Sequence, residues 1–321
     1  MSQPPEEILQ ILKKAKRVLI ATHVFPDGDA IGSQLALGFA LESLGKEVFF
    51  YSEESVTYIL DFLPGSDRLI TDLPKDNNFD CAVSVDCGDK RRLGQCADQL
   101  LRAKPFIAID HHAGHQPFGD ITWVDEHRSS TGEMIYDLVR LLGCEISKDT
   151  AYCLYTAILT DTGSFKYEST TSHTLRVAAD LLDYGVKPAE ICGHIFDNYT
   201  KNRLQLLQAV LGSLALYADD RVAFISVSQD LMDRTGTIPA DTELFINFPR
   251  SLRTVKVAVF LKETANNVVG VSMRAKGEVD VAEVARAFGG GGHRNAAGFK
   301  IANTSLAQLK ERLLAELLPL V

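Results

Sequence analysis

A doubly wound, mainly parallel α/β domain followed by a second, smaller α/β domain is the architecture the sequence predicts, on three features. Short, near-continuous apolar runs recur through the first half, separated by stretches of helical periodicity, as in a parallel sheet covered by helices on both faces. Past about residue 200 the pattern changes to closely spaced strand-like runs followed by a glycine-rich stretch. The 321 residues also exceed what a single core normally organises.

Taken in order, a polar start leads into a helix over Glu6–Lys16 and a first strand over Arg17–Thr22. Ala30–Leu44 carries helical periodicity and stops at Gly45, a C-terminal helix signal. Glu47–Tyr51, Cys81–Val85 and Pro105–Ile109 are the next strands. Helices are then expected over Ser130–Leu142, Lys148–Leu159, Ser172–Tyr184, Pro188–Asp197 and Asn202–Leu216, the last as a connector. Strands over Arg221–Val227, Thr254–Leu261 and Asn267–Met273, a helix over Val281–Phe288, and a final strand and helix complete the chain. The expected division is a first domain over 1–197, a linker helix over 198–218 and a second domain over 219–321.

Composition narrows the function classes. With 46% hydrophobic and 23% charged residues, this is an ordinary globular chain, neither disordered nor fibrous. The formal net charge of −9 argues against a protein that grips long nucleic acid, which needs a basic face or stripe. The short basic clusters Lys13, Lys14, Lys16, Arg17 and Lys90, Arg91, Arg92 read as solvated helix surface. Six cysteines form no CxxC pair, no apolar run reaches membrane-spanning length, and the N-terminus is not signal-like. A reduced, cytoplasmic protein away from membranes is expected.

The chemistry-bearing residues sit where strands end. His23, Asp27 and Asp29 follow the first strand and open the first long helix. Taken alone they are equally a turn, with Asp29 as helix cap and Asp27 in an Asx-type bond. The strand Cys81–Val85, however, ends at Asp86, and Pro105–Ile109 ends at Asp110, His111 and His112. Ligands of open α/β sheets bind at the carboxyl ends of strands, so these groups converge if the strands share one parallel sheet. Clustered carboxylates repel and raise one another's pKa, and bound cations relieve that repulsion. Asp161 ends the helix Lys148–Leu159, against the helix dipole. Carboxylate and imidazole without thiolate favour Mn²⁺ or Mg²⁺ over a structural Zn²⁺ site, with Zn²⁺ or Co²⁺ still able to bind. In the second domain, Gly290, Gly291, Gly292, His293 and Arg294 form a run that suits an anion, and Arg274 ends a strand with a guanidinium fitted to phosphate.

Together these residues resemble the DHH phosphoesterase family with its C-terminal DHH-associated domain. The resemblance rests on His23-x-x-Pro26-Asp27-x-Asp29-Ala30-x-Gly32-Ser33, Asp86, Asp110-His111-His112, Asp161, and Gly290-Gly291-Gly292-His293-x-x-Ala296-Ala297-Gly298. The length is similar to that of the family's nano-RNase and pAp-phosphatase branch. It implies two Mn²⁺ ions, one held by His23, Asp27 and Asp86, the other by Asp29, Asp86, His111 and Asp161. It further implies Asp110 as an orienting group, His112 near the scissile phosphate, and Arg274 and His293 on the substrate. Where the family often has a polar residue before the proline, this chain has Phe25.

The implied activity is hydrolysis of short RNA or DNA oligonucleotides, or of 3′-phosphoadenosine 5′-phosphate (pAp), with the second domain anchoring one end of the substrate. Cyclic dinucleotides or their linear products are the alternative substrates. A pyrophosphatase of related build lacks support because no Ser-Arg-Lys-Lys-type cluster is present, and a long-strand exonuclease would need a further domain. A non-catalytic nucleotide sensor would be expected to have lost a ligand. A homodimer is left open, since no pairing surface is legible.

Overall fold

The structure is a computed structural model that describes residues 2–76, 78–264 and 267–321. The chain forms two compact units, Met1–Asn198 and Tyr199–Val321.

The first unit is built on six parallel strands: β1 (Arg17–Ala21), β2 (Glu47–Tyr51), β3 (Leu69–Ile70), β4 (Cys81–Val85), β5 (Phe106–Asp110) and β6 (Ile121–Val124). Their order is β3-β2-β1-β4-β5-β6, every neighbouring pair parallel. The predicted doubly wound sheet is therefore present. Sequence patterning missed β3 and β6, which are only two and four residues long, lie at the edges and are mostly half-buried. In β1 both faces are closed: Leu19 and Ala21 join a cluster with Tyr51, Ala82, Leu93 and Phe106, while Val18 and Ile20 are also fully buried.

The helices of this unit are α1 (Glu6–Lys14), α2 (Gly28–Ser43), α3 (Ala97–Leu100), α4 (Thr131–Leu142), α5 (Lys148–Asp161), α6 (Ser172–Asp183) and α7 (Pro188–Phe196). Along α2 most residues are buried, so it is a central helix rather than an amphipathic surface one. It lies close against α5: a Cβ at Gly32 would stand 2.6 Å from the carbonyl oxygen of Cys153. Chain order reverses between β1 and β4, because β2 follows β1 on one side and β4 pairs on the other. A crevice at the carboxyl ends of strands is expected at such a reversal.

The second unit contains α8 (Lys201–Leu211), β7 (Ala215–Tyr217), β8 (Val222–Val227), α9 (Gln229–Thr235), α10 (Asn247–Ser251), β9 (Val257–Thr264), β10 (Val268–Ala275), α11 (Val281–Ala287), β11 (Gly291–His293), β12 (Ala296–Ala302) and α12 (Leu306–Leu317). Its sheet runs β11-β12-β10-β9-β8-β7, with β8 and β9 parallel and the other pairs antiparallel. Val257, Val259 and Val271 pack with Leu309 and Leu313 of α12 on one face; Ala258 and Phe260 pack with Leu206 and Val210 of α8 on the other. The helix expected to run to Leu216 ends at Leu211, and 215–217 is an edge strand. Because α8 buries its apolar side in this core, it is part of the second unit.

Candidate metal and catalytic site

The carboxyl ends of β1, β4 and β5 deliver the titratable groups to one edge of the first unit. Asp27 is the N-cap of α2, its carboxylate accepting from the backbone N–H groups of Asp29 and Ala30. The cap is thus Asp27 rather than Asp29, which frees Asp29 to turn inward from the first turn of the helix. Asp29 is buried and accepts from the N–H groups of Thr131 (2.7 Å) and Gly132 (2.8 Å) and from Ser33 Oγ (2.9 Å). The amino end of α4 therefore points its unpaired amides at Asp29.

Asp86 occupies the position after β4 with a left-handed φ of 58°, rare for a residue with a side chain. Its carboxylate is buried and lies at the centre of the cluster. His23 Nε2 stands 3.4 Å from one oxygen, and His111 Nε2 stands 3.6 Å from the other. Thr131 Oγ donates to Asp86 at 3.0 Å. His111 Nε2 is also 3.6 Å from Asp29 and 3.2 Å from Asp161, the last residue of α5. Two sets of ligand atoms, His23–Asp27–Asp86 and Asp29–His111–Asp161, each fall within 4.8 Å.

The second ring nitrogens set the tautomers. His111 Nδ1 faces the carbonyl of Arg128 at 3.2 Å, and His23 Nδ1 faces that of Val24 at 2.9 Å. Donation to the Arg128 carbonyl leaves the Nε2 lone pair of His111 directed at the carboxylates, the arrangement a cation needs. His23 Nδ1 lies between an acceptor, the Val24 carbonyl, and a donor, the Arg92 guanidinium, each at 2.9 Å.

Electrostatics agree with that arrangement. Burial and the neighbouring Asp29, Asp27, Asp110 and Asp161 hold the Asp86 carboxyl well above the usual range. Burial and Asp161 push Asp29 up to about 7. Burial and Arg92 lower His23 to about 4, keeping the imidazole neutral and ligand-ready. Burial also disfavours charge on His111, but Asp161, Asp29 and Asp110 outweigh it and raise its pKa. Oxygen and imidazole donors, with His23, Asp29, Asp86 and His111 buried and Asp27 and Asp161 reaching the surface, fit hard or borderline divalent cations.

Asp110, fully buried, stands behind this cluster. One of its oxygens accepts from His112 Nδ1 and the other from His115 Nδ1, both at 2.7 Å. Burial alone would raise its pKa, yet His112, His115 and His111 hold it well below the usual range. Thr131, Gly132, Arg92 and His115 were not identified from the sequence. The Ser130…Glu133 spacing signals a capped helix start, and Ser130 does cap α4, but spacing cannot say where that helix end points.

In the second unit, Arg274 lies in β10 opposite Ala296 and Ala258. The glycine run is not an open loop: Gly291–His293 form the edge strand β11, paired with β12. A Cβ at Gly290 would stand 2.2 Å from the carbonyl oxygen of Gly298, and one at Gly292 2.4 Å from that of Ala296. These glycines are required by close backbone approach, and the Gly290 N–H closes α11 on Ala285. Arg294 is exposed, its guanidinium donating to the Glu278 carbonyl.

The sequence matches two family models, the DHH family N-terminal domain over residues 17–158 and the DHHA1 domain over residues 222–319. A protein of Thermus thermophilus named bifunctional oligoribonuclease and PAP phosphatase NrnA is 35% identical, covering 96% of this chain and 91% of its own. A Bacillus subtilis protein of the same name is 27% identical over 97% and 96%. Among solved structures, an exopolyphosphatase-related protein from Bacteroides fragilis superposes with a TM-score of 0.88 at 30% identity, covering 98% of this chain and 96% of that one. With strand ends, ligand sets and both domain models in agreement, the chain belongs to the DHH family, a DHH domain followed by a DHHA1 domain.

Proposed function

We propose that this protein is a two-metal phosphoesterase that hydrolyses short oligonucleotides to mononucleotides and pAp to AMP. The observation that carries the reading is the convergence of four carboxylates and two imidazoles at the strand-order reversal, with Asp86 buried among like charges. The names of the Thermus and Bacillus relatives point to the substrates.

In this reading His23, Asp27 and Asp86 would hold one cation, and Asp29, His111 and Asp161, with Asp86, would hold the other. Mn²⁺ is the assigned metal. Bound there, two divalent cations supply Lewis acidity towards phosphate oxygens and lower the pKa of a water. The chain's own residues do the rest. The amides of α4 fix Asp29, and Thr131 fixes Asp86, so neither carboxylate must reorganise when charge develops. Asp110 accepts from His112 Nδ1–H, so it is the doubly protonated ring whose Nε2–H would donate to a phosphate oxygen or protonate the leaving oxygen. Residues 219–321 are assigned to the substrate, with Arg274, His293, Arg294 and the Gly290–Gly292 run as its phosphate-facing groups, the close backbone approach at Gly290 and Gly292 being a separate demand on the same run. The cytoplasm is the assigned compartment; among the described residues no helix is long and apolar enough to cross a membrane.

The test is a Mn²⁺-supplemented panel of pAp, linear di- to pentanucleotides, cyclic dinucleotides and pyrophosphate, run beside an Asp86→Ala variant. Activity on pAp and short linear oligomers is expected, falling by at least about 10²-fold in the variant, the scale on which a single electrostatic group is felt. Turnover confined to cyclic dinucleotides or to pyrophosphate would overturn the assignment.

A further inference from the structure

His115 is the imidazole at this edge to which the reaction above assigns nothing, yet its side chain is 4% exposed and bonded to Asp110. Asp110 is a fully buried carboxylate with an imidazole on each oxygen, His112 on Oδ1 and His115 on Oδ2, both at 2.7 Å. A carboxylate held at one oxygen turns readily about its terminal torsion, which has broad, roughly two-fold preferences. Held at both, it does not. His115 is itself fixed. Its ring stacks on Phe118 with centroids 5.4 Å apart, and Phe118 lies against Phe106 of β5 at 6.0 Å. Its backbone N–H donates to the carbonyl of His112, and the N–H of Gln116 ties the same turn to Gly88 behind β4.

The consequence falls on His112. Its Nδ1 lies 2.7 Å from Asp110 but only 3.5 Å from Asp86. If Asp110 swings away, Asp86 is the carboxylate within reach, and a bond from His112 would occupy a lone pair that both cation positions require. We propose that His115 is a positioning residue: through Asp110 it holds His112 in place and keeps it off Asp86. His115 Nδ1 is engaged by Asp110, and its Nε2 is buried without a hydrogen-bond partner, so the residue acts through Asp110 and not as a ligand. The proposal rests on the two-metal reading above and adds to it a residue outside the DHH motif.

Amide side chains separate the role from simple packing. The Asn amide nitrogen sits where His Nδ1 does, and the Gln amide nitrogen where Nε2 does. His115→Asn therefore keeps the donor to Asp110, whereas His115→Gln and His115→Ala lose it. With full-length protein, Mn²⁺ and a dinucleotide, kcat is expected to fall about 10–100-fold in the Gln and Ala variants, the cost typical of a lost outer hydrogen bond at a metal site. KM should stay within about twofold, since no ground-state contact is removed. His115→Asn should recover to within about threefold of wild type. In parallel, the ring-nitrogen NMR signals of His112 in chelator-treated protein should show the Nδ1–H tautomer in wild type and the Asn variant and lose it in the Gln variant. Equal losses in the Asn and Gln variants, or an unchanged kcat in His115→Gln, would overturn the proposal. Wild-type protein silent on every substrate would instead sink the phosphoesterase reading, and the NMR comparison, which needs no turnover, would then decide His115 by itself.

Discussion

At Asp86 three unfavourable features meet in one residue: a left-handed φ, full burial and four neighbouring carboxylates. Backbone strain of this kind costs on the order of 1–3 kcal/mol and persists only where its surroundings enforce it. The sign of the resulting pH dependence follows from the shifts. Asp86 and Asp29 have folded pKa values above the usual 3.8, Asp29 at about 7. Between those limits the folded state binds more protons than the unfolded one, so their contribution is present at low pH and lost as pH rises. His111, raised above 6.5, acts in the same direction, while His23, lowered to about 4, opposes it between 4 and 6.5. Three groups outweigh one. Chelator-treated protein is therefore expected to melt at a lower temperature at pH 8 than at pH 5, and Mn²⁺ should abolish the loss at pH 8. A melting temperature that rises from pH 5 to pH 8 without metal would contradict this account. At this scale the sequence already named the residues that cluster, because acids and histidines after apolar strands are legible in one dimension. It did not name Thr131 or His115, whose roles depend on a helix end and a turn brought in from elsewhere in the chain.

Helix α2 carries the site on one end and packs along its length against α5. The contact is close enough that a methyl group at Gly32 would meet the backbone of Cys153, an atom that cannot rotate away. Gly32→Ala gains helix propensity of up to about 1 kcal/mol. Overpacking at a backbone contact costs about 1–3 kcal/mol, and larger overlap costs more. A net destabilisation of about 1–2 kcal/mol is expected in urea denaturation, with a parallel loss of activity because Asp27 and Asp29 ride on the displaced helix. An unaltered midpoint would mean the helices separate without cost. The positions of β1, β2, β4 and β5 were readable because each is a largely apolar run, and α2 ends just before a glycine. The glycines of 290–292 were read as an anion cradle, since a run of glycines looks the same in sequence whether it serves a ligand or a neighbouring strand. Only the tertiary structure shows that Gly290 and Gly292 also lie too close to neighbouring backbone to carry a side chain.

At the scale of the whole molecule, a net charge of −9 bears on substrate length. A protein that neutralises many phosphates loses about 10³–10⁵ in affinity between 50 and 200 mM salt. An enzyme engaging one or two phosphates through a metal centre is expected to lose less than about tenfold over that range. Initial rates on a dinucleotide and on a 50-nucleotide strand, each measured at both salt concentrations, check this; equal rates on both would refute the short-substrate reading. By itself the sequence determined the class of each domain, the order of the main elements and the chemical character of the site, because apolar runs, helical periodicity and residue type are local properties. Tertiary structure alone decided which helix end meets Asp29, which oxygen of Asp110 each histidine takes, and that α8 belongs to the second core. These are long-range matters: residues such as Asp29 and Thr131, 102 apart in the chain, meet only because strand order and helix packing bring them together.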